Sequence, residues 1–311
     1  TGKRDFCLQE IQQKQKIIGC LEEKIKDLDQ HPASATLKTG VPLSMLPLLC
    51  CPVCKGSLSL TDVEMDQRFL YHGALGCSCG YKAVIDKGIL MTPNKNTNLQ
   101  DTPDVTRELY KDLPPQLISM FQRSYNWMLE RMEQVNLHHK VIAETYVNAW
   151  FFMHNHLEYL PGDSRYIVID KYPETLLMYK HLIEKQRPDL DILYLADSST
   201  TFPLKSECID LHLDFFAVNE HNFYHPSFLY QKLRPYFSPQ ADVIGTYFYF
   251  KHAPKSMKQL LSMYPECSRQ NFQNSYFHEE LRKNGFQLLS EEDCGFTTDS
   301  GNNLGFGFHV K

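Results

Sequence analysis

Four cysteines in two tight pairs carry the plainest chemistry in this sequence. Cys51-Pro52-Val53-Cys54 runs into Lys55-Gly56, and Cys77-Ser78-Cys79 runs into Gly80. Thiolates on two such turns close a tetrahedral all-sulfur shell, the usual setting for a structural Zn2+. A glycine after each pair lets backbone amides turn in towards the sulfurs. Residues 55 to 76 between the pairs are enough for a β-hairpin. The second pair is spaced CxC rather than CxxC, and Cys50 and His72 stand as alternatives for one ligand. The chain has 10 cysteines, and an export signal is not expected. Clustered pairs in such a chain point to metal rather than disulfides, and to a reducing, cytoplasmic compartment.

A second set of candidates is acidic. Tyr166–Asp170 (YIVID) and Ile192–Asp197 (ILYLAD) read as buried strands, each ending in an aspartate. In a doubly wound sheet the first strand runs into a glycine-rich turn, and an acid closing the second strand holds ribose hydroxyls. Asp170 has that position, Asp197 closes the next strand, and Asp210 opens the one after. The first strand would end at Glu144, but Tyr146, Asn148 and Trp150 follow where close glycines are needed. No glycine occurs between Gly88 and Gly162, and the whole chain holds only 15 in 311 residues. Side chains as large as Tyr146 and Trp150 would fill the space a nucleotide-like ligand needs, which argues against catalysis. No GxSxG, HExxH or phosphate-loop pattern occurs, so hydrolase and kinase chemistry has no footing. The scattered histidines, among them His154, His156, His221 and His225, read better as core-edge or solvated groups than as a second metal site.

The elements that must position these residues fall into five stretches. Residues 1–31 read as a helix in which Ile11, Ile18 and Ile25 recur every seven residues, with Cys7, Lys14, Leu21 and Leu28 at the complementary position. That narrow stripe is a coiled-coil seam, most simply for a second copy, so a homodimer through residues 3–30 is expected. A linker (32–45) follows, then a zinc ribbon held by the four cysteines (46–93), a polar linker (94–104) and an α/β region (105–311). In the last, Pro115 to Asn136 reads as a helix. Strands are expected at 140–144, 165–170, 191–196, 208–214, 241–250, 286–291 and 304–310, alternating with helices as a mostly parallel sheet requires. The net charge of −5 supplies no bulk basic field for nucleic acid. No apolar run approaches the ~20 residues of a membrane span.

Over 105–311 this order resembles the class I methyltransferases that use S-adenosylmethionine. The resemblance implies a doubly wound, Rossmann-like fold. It assigns Glu144, Asp170 and Asp197 to the cofactor, Asp170 at the ribose and Asp197 beside the adenine. Tyr276–Phe286 matches the late helix and turn before the sixth strand. A ribbon directly before such a domain resembles the ribosomal-RNA guanine methyltransferases, in which the ribbon helps to bind RNA. The order helix, linker, ribbon, domain resembles instead the C-terminal part of MerR-type bacterial transcriptional regulators. That second resemblance implies a dimerising and effector-sensing region with a non-catalytic methyltransferase-like domain. Its effector is an unknown small molecule, and DNA would be held by an upstream head that this chain does not contain. The alternative is a methyltransferase acting on rRNA or a small molecule, with the ribbon contacting substrate.

Overall fold

A computed structural model describes residues 39–98, 100–103, 105–106, 112–251, 254–297 and 303–311. The dimer helix expected at 3–30 lies outside them. Residues 38–311 form one compact unit.

Five strands precede the first helix: β1 (Val41–Pro42), β2 (Ser59–Asp66), β3 (Phe69–Gly76), β4 (Lys82–Asp86) and β5 (Ile89–Met91). Helix α1 (Pro115–Met132) follows, then β6 (Val141–Thr145), β7 (Arg165–Asp170), α2 (Pro173–Gln186) and β8 (Asp191–Ala196). The rest is β9 (Ile209–Phe215), α3 (Ala217–Tyr224), α4 (Leu229–Leu233), β10 (Phe237–Phe250), α5 (Pro254–Met263), α6 (Asn274–Lys283), β11 (Leu288–Phe296) and β12 (Asn303–Val310).

Strands β8-β7-β6-β9-β10-β12-β11 lie side by side in that order. The first five are mutually parallel, and β12 enters antiparallel between β10 and β11. Numbered within this region the order is 3-2-1-4-5-7-6, a doubly wound sheet whose chain direction switches between its first and fourth strands. Both faces are covered. Ile167 and Ile169 of β7 and Leu193 and Leu195 of β8 join one core, while Tyr166, Val168, Ile192 and Tyr194 join the other. Burial on both faces explains why these strands read as continuous apolar runs rather than as an alternation.

The strands expected to form a separate ribbon belong to the same sheet. β5 pairs in parallel with β8, Ile89 opposite Tyr194 and Met91 opposite Ala196, and β4, β3 and β1 continue outward. Val41, Leu70 and Ile85 share a core with Leu193, Phe202 and Leu204. The polar stretch expected as a linker from 94 to 104 is tied to the sheet along its described part. The Asn96 amide donates to the Lys171 carbonyl at 2.9 Å, and the Ser198 amide to the Asn94 carbonyl at 2.9 Å. This strap therefore crosses the carboxyl ends of β7 and β8.

Where glycine is scarce, its late placement is informative. A Cβ on Gly305 would stand 2.3 Å from Met120 Sδ, and one on Gly307 2.3 Å from the Trp127 ring. Bare backbone on β12 lets α1 lie directly against the sheet. Glycine is thus used to seat a helix, not to cradle a ligand.

Candidate functional site

The four paired cysteines converge. Their sulfurs all lie within 4.8 Å of one another, with Cys51–Cys79 and Cys54–Cys77 each at 3.4 Å. A tetrahedral site with Zn–S bonds of about 2.3 Å needs sulfurs about 3.8 Å apart, so this spacing brackets the requirement. Two turns set it. The Lys55 amide donates to the Cys51 carbonyl and the Gly80 amide to the Cys77 carbonyl, both at 2.9 Å. Lys55 and Gly80 take positive φ, 59° and 96°. A Cβ on Gly56 would come 3.2 Å from Cys54 Sγ. The Cys79 backbone amide, helped by the Cys54 thiol, lowers the Cys77 thiol to about 6, which favours thiolate. Cys50 is buried with its thiol donating to the Leu204 carbonyl at 3.2 Å. His72 faces Asp86 at 3.1 Å and Glu64 at 3.8 Å. Neither joins the cluster. A closed, all-sulfur donor set fits a structural zinc and leaves no position for substrate.

The second site is a cavity of about 340 Å³ over the carboxyl ends of β6, β7 and β8, at the switch in sheet direction. Asp170 and Asp197 both line it. The Asp170 carboxylate accepts the Asn148 amide at 2.7 Å and the Tyr172 amide at 3.0 Å, and burial pushes it up to about 6. Asp197 accepts the Thr92 hydroxyl at 2.5 Å and the Ser199 amide at 2.6 Å, and burial raises it too. Glu144 does not reach the cavity. It is buried beneath the following turn, accepting the Phe152 amide at 2.6 Å and the Met153 amide at 3.0 Å. Burial pushes its carboxyl up to about 8 against those two bonds. Glu144 therefore shapes the loop after β6 from below. Asp210 sits at the opposite end of the sheet, accepting the Val141 amide at 3.0 Å.

The two bulky residues of the first loop behave differently. Trp150 turns away and packs on Phe121, ring centroids 4.5 Å apart, and on Phe215 at 6.2 Å. The expectation that it fills the ligand space is corrected: its large ring finds an apolar surface beneath α1 instead. Tyr146 does line the cavity. Its φ is 59°, the left-handed region that glycine adopts without cost. Its hydroxyl donates to His221 Nδ1 at 2.7 Å, and His221 Nε2 donates to the Ser227 carbonyl at 2.9 Å. Burial lowers His221 to about 3, so this histidine stays neutral and in one tautomer.

Sequence reasoning missed much of the cavity wall. Asn96, Asn98 and Asp101 come from the strap, and Glu220, Tyr224 and His225 from α3 and its end. Asp101 accepts Lys171 Nζ at 2.7 Å and the Tyr172 hydroxyl at 2.5 Å, which clasps the strap to the start of α2. Burial pushes Glu220 up to about 7. Only the run of asparagines in a supposed linker hinted at these partners.

No family model matches this chain, and no curated protein matches it in sequence. Solved structures do resemble it in shape. Geranyl diphosphate C-methyltransferase from Streptomyces coelicolor A3(2) aligns over 60% of this chain and 74% of its own, at 7% identity and a TM-score of 0.47. A putative sarcosine dimethylglycine methyltransferase from Galdieria sulphuraria aligns over 60% and 84%, at 7% identity and 0.48. A SAM-dependent methyltransferase from Aquifex aeolicus aligns over 63% and 93%, at 12% identity and 0.43. At such identities and scores the likeness concerns the fold, and no functional argument rests on it. The fold is mixed α/β with a Rossmann-like, doubly wound central sheet, read from its own strand order. Among the described residues, no helix is long and apolar enough to cross a membrane.

Proposed function

We propose that residues 39–311 are a methyltransferase-type domain that binds S-adenosylmethionine in the cavity over β6–β8. One observation carries the reading: Asp170, Asp197 and Glu220 converge on that cavity, while its lysine, Lys171, is already held by Asp101. That leaves an acidic wall, which suits hydroxyl donors and positive charge. A ribose and an adjoining sulfonium and ammonium supply both. Asp170 would hold the ribose hydroxyls, Asp197 with the neighbouring strap asparagines the adenine, and Glu220 the cationic end. Bound there, the ligand supplies an electrophilic methyl group. His225, also on the wall, is a candidate to accept a proton from an incoming acceptor.

A second reading, binding without transfer, is favoured by Tyr146. Its ring stands where the loop would otherwise be bare backbone, and His221 fixes it there. Calorimetry with S-adenosylmethionine and S-adenosylhomocysteine, paired with a labelled-methyl assay on rRNA and on small-molecule nucleophiles, separates the two. One ligand per chain plus transfer supports the enzyme, and binding alone supports the second reading. No heat at about 1 mM ligand, a free energy near −4 kcal/mol, overturns both.

The four cysteines complete the proposal, as the ligands of one structural zinc. The regulator reading draws its support from residues 3–30, outside the described part, and the sites gain nothing from it.

A further inference from the structure

A second cavity of about 340 Å³ opens beside the zinc turn, between the short helix over residues 43–48, the β2–β3 hairpin and the loop after Leu204. Its walls are leucines: Leu46, Leu49, Leu58, Leu60 and Leu75. Leu46, Leu58 and Leu60 are only partly buried, so apolar surface faces the opening. Two lysines, Lys55 and Lys205, stand on the rim, both exposed. Lys55 Nζ lies 5.8 Å from the Tyr236 ring, and among the described residues neither lysine is in an ion pair. Cys50, on the same wall, has its thiol committed to the Leu204 carbonyl. No carboxylate lines the cavity.

An apolar pocket with two cations at its mouth, neither in an ion pair among the described residues, is complementary to a molecule that is apolar at one end and anionic at the other. At ~30 Å³ per water-sized volume, 340 Å³ gives room for about ten non-hydrogen atoms. We propose that this cavity is a binding site for a small amphipathic carboxylate, a medium-chain alkyl or aryl acid whose tail lies among the leucines and whose head meets Lys55 and Lys205. The site is separate from the cavity over β6–β8 and stands or falls independently of any S-adenosylmethionine binding there. It adjoins the cysteine cluster instead, because Gly56 lines it and a Cβ on that glycine would stand 3.2 Å from Cys54 Sγ. An occupant would brace the turn that carries two of the four sulfurs.

The experiment titrates the whole, metal-loaded chain with octanoate and, separately, with octylammonium, which has a similar tail and the opposite charge. Octanoate should bind once per chain and at least tenfold more tightly than octylammonium. Lys205→Glu should weaken octanoate by about tenfold or more and Lys205→Gln by less, with metal content unchanged in both. The Lys205 side chain is exposed and only its backbone amide bonds Leu48, so both variants keep the fold. Equal binding of the two ligands, octanoate binding that ignores Lys205→Glu, or no saturable binding of octanoate overturns the site. Titrating octanoate with S-adenosylmethionine present keeps the two cavities apart: a competitive curve places octanoate in the other cavity and overturns this one.

Discussion

Replacing Tyr146 by glycine tests the reasoning about the cavity most directly. Three terms follow from its surroundings. Losing the phenol leaves His221 Nδ1 buried without its donor, which costs about 1–3 kcal/mol. Removing the packed ring costs roughly 1.5–3 kcal/mol more. Releasing a non-glycine residue from φ 59° returns about 1–2 kcal/mol. The net is a destabilisation of roughly 0.5–5 kcal/mol, centred near about 3, or a fall in Tm on the order of 10 °C for a domain of this size. Tyr146→Phe keeps the ring and the strain, so it should show only the first term. Ligand affinity should move the other way. With the ring gone, the floor of the cavity becomes bare backbone, and S-adenosylmethionine should bind at least about tenfold more tightly to Tyr146→Gly. Urea denaturation gives the first quantity and calorimetry the second. If Tyr146→Gly binds no better than the parent chain, the ring is not what narrows the site. If Tyr146→Phe is as stable as the parent, the His221 bond contributes nothing and the pin is imaginary.

Other outcomes follow from the same geometry. Freshly purified chain should contain about one zinc per chain, and a Cys51→Ser/Cys54→Ser double variant none; metal analysis near zero for the parent would refute the cluster's role. Asp170→Asn and Asp197→Asn should each weaken S-adenosylmethionine by about tenfold or more without altering zinc content, whereas Asp210→Asn, at the far end of the sheet, should leave affinity unchanged. Burial raises Asp170 to about 6 and Glu220 to about 7, so both ionise as pH climbs from 5 to 8. Affinity for a cationic ligand should rise over that window. Stability of the ligand-free chain should fall between about pH 4 and 7. Each raised carboxyl contributes fully below its unfolded value near 4, and that contribution is lost as pH passes its folded value. A flat profile in both measurements would count against the burial argument. Sedimentation should show a dimer if the heptad pattern of residues 3–30 does what it implies, and a strict monomer would remove that inference.

Much of the sheet was legible because its strands are buried on both faces. Strands at Arg165–Asp170 and Asp191–Ala196 run between the limits their apolar blocks suggested, each with an aspartate at its end. Strand β10 was harder: it begins at Phe237, four residues early, because Pro239 and Gln240 sit at a break in the pairing between Phe237 and Asp242 and do not look like a strand. The sulfur cluster was legible from spacing alone, and the structure brings together the four residues named. The cavity was only partly legible. An acid at a strand end is a local signal, so Asp170 and Asp197 stood out. Glu144 has the same signature, but its carboxylate turns down to hold the amides of Phe152 and Met153, a choice made by a loop eight residues away. Glu220 and Asp101 reach the cavity through packing of α3 and of the strap, and no short-range pattern announces either. The missing glycines were expected to leave both Tyr146 and Trp150 in the ligand space. Their effect falls on one side chain, Tyr146, while Trp150 finds a place elsewhere.

The strand that joins the ribbon to the sheet also sets an order of events in folding. Ile89–Met91 has its partner on one side at 84–86, a hairpin away, but on the other side at Tyr194–Ala196. During synthesis the four cysteines emerge, free to take up the zinc proposed for them, while that second partner has yet to be made. The half-built sheet must wait, its β5 edge open, until about a hundred more residues have left the ribosome and the intervening loop can close. If the cysteines hold that zinc, it acts first as a placeholder, keeping an unfinished edge in register for a neighbour that arrives late.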